Sequence, residues 1–336
     1  MLDADVEVDR RDFTVRAAVQ VAAGERVALF GPSGAGKTTL LEVVAGLVIP
    51  RRGRVVLGDR VLTSTSPPAQ AVPPWQRRVG LLRQDPGLFP HLSVRGNLSY
   101  ARGADPSGAE LTEVAATLGL AGLLDAMPAA LSGGQRHRVA LGRLLLAHCD
   151  ALLLDEPFTG LDASLRRSLT DLVVSLVAAR NVPAMLVAHE LADAQAFADR
   201  LAVIDRGELL QLGAPDEVVL RPASHRVAEL IGYLGFVPHG PGQVAGVHPE
   251  RTVPGAHPDR GLVLTGTVAA SRPAGAGWEA DLTVAGTVIT GRLPDRPGPE
   301  GDELTITVLD PPIFGPDGHL AAPGLDQPTE TGERSA

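Results

Sequence analysis

Lysine is almost absent from this chain. Of its 30 basic residues, 29 are arginine and one is lysine, Lys37. Cysteine is equally scarce. Cys149 stands alone, which excludes an internal disulfide and any metal cluster built on several thiolates, and fits a reducing compartment. It follows an apolar stretch and reads as a buried small residue rather than a nucleophile. No run reaches the roughly 18–20 apolar residues that span a bilayer, so a membrane role has to come through a partner. The start, Met1 to Glu7, is acidic and lacks the apolar segment of a signal peptide. Positive charge is also in deficit. Thirty basic against 39 acidic residues give a net charge of −9, which argues against a nucleic-acid binder.

The residues that are abundant suit an ordered protein. Hydrophobic residues make up 44% of 336, enough to fill one large or two ordinary cores. Proline marks a change of character. Residues 1–233 hold 14 prolines and the remaining 103 hold the other 14, so the density doubles near Tyr233. Before that point, short apolar runs alternate with helical patterns. Arg26–Phe30 reads as a buried strand, then a glycine-rich turn and a helix from about Lys37 to Leu47. The runs 151–154 and 184–188 are further buried strands. This predicts an α/β fold with a parallel sheet. After it, Trp278, Ala280, Leu282 and Val284 alternate with polar residues, as do Leu304, Ile306 and Val308, which predicts a small all-β unit. The expected division is 1–233, a linker at 234–245, the β unit at 246–314 and a disordered tail at 315–336.

Three motifs carry chemistry. Gly31-Pro32-Ser33-Gly34-Ala35-Gly36-Lys37-Thr38-Thr39 lies between a predicted strand and a predicted helix, the setting of a P-loop. Glycines let backbone N–H groups curl round phosphate oxygens, and the helix N-terminus adds positive potential. Lys37 is expected to reach the β- and γ-phosphates of ATP and Thr38 to hold Mg²⁺. Asp155 and Glu156 close an apolar strand, where ligands of open α/β sheets bind. Asp155 suits Mg²⁺ through water, and Glu156 suits polarising the water that attacks the γ-phosphate. Leu131-Ser132-Gly133-Gly134-Gln135 precedes an arginine- and alanine-rich helix and by itself reads as a helix cap.

In that order, over about residues 1–233, the motifs resemble the nucleotide-binding subunits of ABC transporters. The resemblance implies a P-loop NTPase domain with a helical subdomain, acting as a homodimer. The signature residues Ser132, Gly133, Gly134 and Gln135 of one copy would close over ATP held by the other. It makes Gln84 the Q-loop glutamine, touching Mg²⁺ or the attacking water, His189 the switch histidine on the γ-phosphate, and Asp162 the interface aspartate. Phe13 resembles the ring that stacks on adenine; a core phenylalanine is the alternative. Departures from the pattern are Ala188 for threonine, Glu190 for aspartate, His137 for glutamine and Thr159-Gly160 for Ser-Ala. Gln84-Asp85, Leu88 to Leu92 and Arg95 to Leu98 look like importer ATPases, in particular those for molybdate, with sulfate, iron and polyamine importers similar in kind. The implied setting is the cytoplasmic face of the membrane, beside integral permease subunits and indirectly a solute-binding protein. Gly246 to Glu250 and the β-rich segment after it resemble an OB-like regulatory domain, which either binds an oxyanion or only stabilises the dimer. A soluble ABC ATPase working on ribosomes or DNA is the reading from another class. One ATPase module and no heptad run between Lys37 and Ser132 speak against it.

Overall fold

In the computed structural model, residues 1–100 and 108–321 are described. Strict alternation opens the chain. Leu2, Ala4, Val6 and Val8 of β1 (Leu2–Asp9) are buried, as are Val15, Ala17, Val19 and Val21 of β2 (Thr14–Val21). The strands pair antiparallel with Leu2 opposite Val21 and Val8 opposite Val15, so one face of the hairpin enters the core. Three later strands are apolar and buried on both faces: β3 (Arg26–Phe30), β8 (Ala151–Asp155) and β9 (Ala184–Val187). Helix α1 (Lys37–Ala45) follows β3. Between it and β8 lie β4 (Arg52–Leu57), β5 (Arg60–Ser64), β6 (Gln70–Ala71) and β7 (Val79–Leu82), which are only partly buried.

With β10 (Arg200–Asp205) and β11 (Glu208–Gly213) these form one sheet of eleven strands in the order β6-β5-β4-β1-β2-β11-β10-β3-β9-β8-β7. The run β10-β3-β9-β8-β7 is parallel. Its strands therefore all end at one edge. Register makes the edge specific: Leu29, Val187 and Asp155 share one row, and Leu82 sits beside Leu154 in the row before. The P-loop, Gln84, Glu156 and His189 come within two residues after these strand ends, and Asp155 is itself the last residue of β8.

Arg77 is 1% exposed, and its hydrogen bonds all go to uncharged acceptors. Its guanidinium donates to the carbonyls of Val43 and Val44 at the end of α1, to the Val72 carbonyl and to the Thr63 hydroxyl. The α1 carbonyls complement a cation at a helix C-terminus. Gly46, at φ 83°, ends α1 short of the expected Leu47, and a side chain there would overlap Arg77.

The helices that bear on the site are α2 (Val94–Ser99), α3 (Ala109–Thr117), α4 (Gly133–Leu146), α5 (Ala163–Arg180) and α6 (Leu191–Phe197). Cys149 is half-buried beside Gly80, with burial pushing its thiol up, as expected of a packing residue.

The chain divides between Asp216 and Glu217, not near Tyr233. Proline density marks where loops thicken, whereas contacts decide the unit. The Tyr233 hydroxyl donates to the Val219 carbonyl and Leu234 N–H to Val247, which ties residues 217–233 to the β unit. The second unit is a five-stranded antiparallel sheet, in the order Thr252–Pro254, Glu303–Leu309, Gly261–Ala274, Gly277–Val284 and Thr287–Leu293, and a three-stranded sheet. Ala280, Leu282, Val284, Ile306 and Val308 fill its core as their alternation predicts. Two strands of the smaller sheet, Phe236–Pro238 and Val244–Gly246, occupy the segment expected to be linker. The tail also starts later than Gly315. His225 N–H bonds Gly318 and Leu320 N–H bonds Ala223, so residues 315–321 are held by backbone hydrogen bonds despite their Gly/Pro composition. The rest of that expected tail, 322–336, lies outside the described residues.

Candidate functional site

Two glycines of the P-loop answer to close approach. At Gly31 a side chain would overlap the Ile204 carbonyl. At Gly36, with φ 103°, it would come 2.7 Å from the Val15 methyl. The loop therefore lies tight on β10 and β2 and delivers Lys37, Thr38 and Thr39 as the first turn of α1. Lys37 is 7% exposed. Its ammonium donates to the carbonyls of Gly31 at 2.7 Å and Pro32 at 2.9 Å. Burial lowers its pKa, and the carboxylates of Glu156 and Asp155 pull it back up. Thr38 donates to both Asp155 oxygens, at 3.1 and 3.0 Å. Burial raises the Asp155 pKa, Glu156 and Glu42 add to that, and the Thr38 hydrogen bond and Lys37 oppose it.

Glu156 leaves β8 with φ 50°, a left-handed conformation uncommon outside glycine. Its N–H bonds the Val187 carbonyl at 3.2 Å, and the Thr159 hydroxyl approaches its carboxylate at 3.5 Å. Backbone strain at a carboxylate is typical of functional positions. Here it swings Glu156 off the strand direction and toward the loop.

Two clefts share this edge. One, of about 420 Å³, is lined by Arg10, Phe13, Ser33 to Thr39, Gln84 and Glu156. The other, of about 350 Å³, is lined by Gln84, Asp85, Gly133, Gly134, His137, Glu156 and Thr159, with Pro86, Arg136 and Gly160 completing its wall. Gln84 and Glu156 belong to both. The structure thus gathers Phe13, the P-loop, Gln84 and Glu156 into one cleft, with Asp155 bonded to the Thr38 that lines it. Ser132, Gln135, Asp162 and His189 do not line it. Ser132 caps α4: its hydroxyl accepts from Gln135 N–H at 3.2 Å, and the Gln135 side chain accepts from Ser132 N–H at 2.8 Å. This is a reciprocal capping box, so the cap reading of the Ser-Gly-Gly run holds in its own right. Asp162 caps α5 through Leu165 N–H. His189 is exposed after β9. Phe13 is half-buried and packs on the core as well as lining the cleft, so both of its readings have a contact behind them.

The donor set suits Mg²⁺. One hydroxyl and one carboxylate, both oxygen, match an ion that takes one or two carboxylates and fills its other positions from water and substrate phosphate. Thr38 and Asp155 would hold it, with the Gln84 amide oxygen at the rim.

Arg10, whose guanidinium reaches the first turn of α1, belongs to no motif of the sequence. The available signal was a basic residue in the hairpin turn that also carries Phe13. His137 likewise shows in the sequence only as a departure from glutamine. That ring, 9% exposed, bonds the Pro157 carbonyl beside the acid pair, and its Nε2 has no partner among the described residues.

Residues 16–159 match the family model described as ABC transporter. An iron(III) import ATP-binding protein of Mesorhizobium japonicum is 41% identical over 66% of this chain and 61% of its own length. An sn-glycerol-3-phosphate import ATP-binding protein of Roseobacter denitrificans is 42% identical over 62% and 58%. A molybdenum import ATP-binding protein of Mycobacterium tuberculosis is 43% identical over 63% and 60%. The chain thus spans about three fifths of the length of the curated relatives it matches. A solved structure titled as an ATP binding subunit of an ABC transporter shares the fold, with TM-score 0.58 at 24% identity over 69% of this chain and 95% of that one. Over residues 16–159 the chain thus matches the ABC transporter family model, and the relatives it resembles over a longer stretch are named import ATP-binding proteins.

Proposed function

We propose that this chain is the ATP-hydrolysing subunit of an ABC importer and works as a homodimer against separate permease subunits. The observation that carries the reading is the convergence of Lys37, Thr38, Gln84, Asp155 and Glu156 on one strand-end edge. Phosphoryl transfer asks a protein mainly for positioning and charge neutralisation. Lys37 supplies a compact cation, and the amides of the P-loop supply dipoles. Mg²⁺ held by Thr38 and Asp155 would neutralise phosphate charge. Glu156 orients the attacking water and accepts its proton, and Gln84 holds that water from the side. Ser132, Gly133 and Gly134 stand outside their own chain's P-loop cleft. That placement supports a second copy as their target, with Asp162 at the interface between copies and His189 on the γ-phosphate. Gln84 sits in both clefts, which suits the segment from Gln84 to Leu98 as the route to the permease.

For the solute, molybdate or a related oxyanion is the first choice, on the resemblance of the Gln84 to Leu98 segment. Relatives named for iron and sn-glycerol-3-phosphate keep other solutes in play. The second unit reads as an OB-like regulatory domain. ATP hydrolysis by the purified chain tests the core of the proposal. Glu156→Gln is expected to bind ATP and dimerise while turnover falls by roughly 10²–10⁴-fold, the usual worth of a general base. Unchanged turnover in that variant would remove Glu156 from its role. Stimulation by permease, solute-binding protein and molybdate, iron or sn-glycerol-3-phosphate in turn tests the solute.

A further inference from the structure

The turn between β1 and β2 is closed by the Arg10 N–H, which bonds the Phe13 carbonyl at 2.8 Å. One tight turn therefore brings both a guanidinium and a ring to the P-loop cleft. Arg10 Nε donates to Thr39 Oγ1 at 2.8 Å, and its terminal nitrogen Nη2 donates to Glu42 at 3.2 Å. Thr39 is 7% exposed and belongs to the same helical turn as Lys37 and Thr38. Arg10 thus lines the same cleft as the ring of Phe13 and the phosphate loop, on the Thr39 side.

Charge adds a second observation. Glu42 is shared: Arg83 approaches its other oxygen at 3.5 Å. Two guanidiniums face one carboxylate, so Glu42 alone does not neutralise Arg10. Among the cleft-lining residues Arg10 and Lys37 are cationic and Glu156 is anionic. A ligand carrying several negative charges fits that wall, and a guanidinium fork matches phosphate oxygens in pairs.

We infer that Arg10 is a nucleotide-binding residue that reaches the α-phosphate. The inference rests on the nucleotide reading above. A base on Phe13 and terminal phosphates on Lys37 leave the ribose and α-phosphate to the rest of the cleft, whose lining includes Arg10 and Thr39. Glu42 then acts as a competitor, holding the guanidinium until phosphate takes its place.

The test is displacement of a fluorescent ATP analogue from the full chain by ATP, ADP, AMP and adenosine. Arg10→Met is expected to weaken ATP, ADP and AMP about tenfold each and leave adenosine within twofold, while Arg10→Lys recovers part of the loss. Glu42→Gln is expected to tighten ATP two- to fivefold, the opposite of what a purely structural Arg10–Glu42 pair would give. An equal loss for adenosine would place Arg10 at the base or in the turn alone. An AMP affinity that does not change would move it off the α-phosphate. Tighter binding in neither Glu42→Gln nor Arg10→Lys relative to Arg10→Met would also overturn it. Wild-type chain that binds none of the nucleotides refutes the function itself. Wild type that binds beside an unimpaired Arg10→Met variant refutes only this assignment. Thermal unfolding of each variant without nucleotide separates lost binding from lost fold.

Discussion

Truncating Arg77 to alanine strikes the rear of the helix whose front holds the P-loop. Four acceptors lose a charged donor: the carbonyls of Val43, Val44 and Val72, and the Thr63 hydroxyl. Val43 keeps a second bond from Gly46 N–H, and a hydroxyl can turn to another partner. The damage therefore falls mainly on Val44 and Val72. An acceptor left buried and unpaired costs about 1–3 kcal/mol, and the lost stem leaves a void. Against this, burying the guanidinium was itself costly, as its lowered pKa reflects. The net is about 3–5 kcal/mol, or a fall in Tm of roughly 6–20 °C for a unit of this size. Gly46→Ala supplies the sharper test. In the native chain it meets both the left-handed φ of 83° and the Arg77 guanidinium. The conformational part is worth about 1–2 kcal/mol, and the overlap adds about 2 more, as overpacking does. With Arg77 already cut to alanine, the overlap disappears and the conformational part remains. The two substitutions should couple by about 2 kcal/mol in urea unfolding of the wild type, both singles and the double. Additivity within about 0.5 kcal/mol would refute the claim that Arg77 is what forbids a side chain at Gly46.

Other perturbations test the same geometry. Lys37→Arg keeps the charge but replaces an ammonium bonded at 2.7 and 2.9 Å inside the loop with a wider fork, so ATP affinity should drop about tenfold or more by equilibrium binding. Thr38→Val removes the hydroxyl from Asp155, whose pKa should rise further because that bond now opposes the shift; a carboxylate titration by infrared difference spectroscopy checks the direction. His137 and His248 both have pKa values lowered from 6.5, chiefly by burial. The unfolded chain takes up their protons first as pH falls, so stability present above about pH 6.5 is lost below it. Denaturant midpoints measured from pH 7.5 to 5.5 should fall less when both are changed to glutamine.

Much of the fold was legible because its signals are local. Continuous apolar runs at 26–30, 151–154 and 184–188 marked strands covered on both faces, and alternation at 278–284 and 304–308 marked the β unit. The P-loop and acid pair were legible as motifs, since glycine, lysine and carboxylate there answer to close approach and charge. The unit boundary was not, because it depends on which partners Tyr233 and Leu234 find, and their sequence neighbours do not say. Arg10 was hidden for a like reason. Its meaning comes from Thr39 and Glu42, 29 and 32 residues away, and a lone arginine in an arginine-rich chain gives no local sign of that.

Lys37 and two of the arginines stand in places that suit their different shapes. Arginine serves Arg77 because its acceptors are spread round a plane: two helix carbonyls, a third carbonyl and a hydroxyl, met by all three nitrogens of the fork. It serves Arg10 in the same way, with Nε on a hydroxyl and Nη2 on a carboxylate. Position 37 offers a different geometry. The side chain must double back from the first residue of a helix to carbonyls five and six residues earlier, 2.9 and 2.7 Å away, within a loop where Gly31 and Gly36 leave no room for side chains. A flexible stem ending in a single point of charge satisfies that; a flat group with five donors would leave several buried without partners, at about 1–3 kcal/mol each. The one lysine in a chain that otherwise uses arginine thus stands where acceptors converge on a point, and Arg77 and Arg10 stand where acceptors spread.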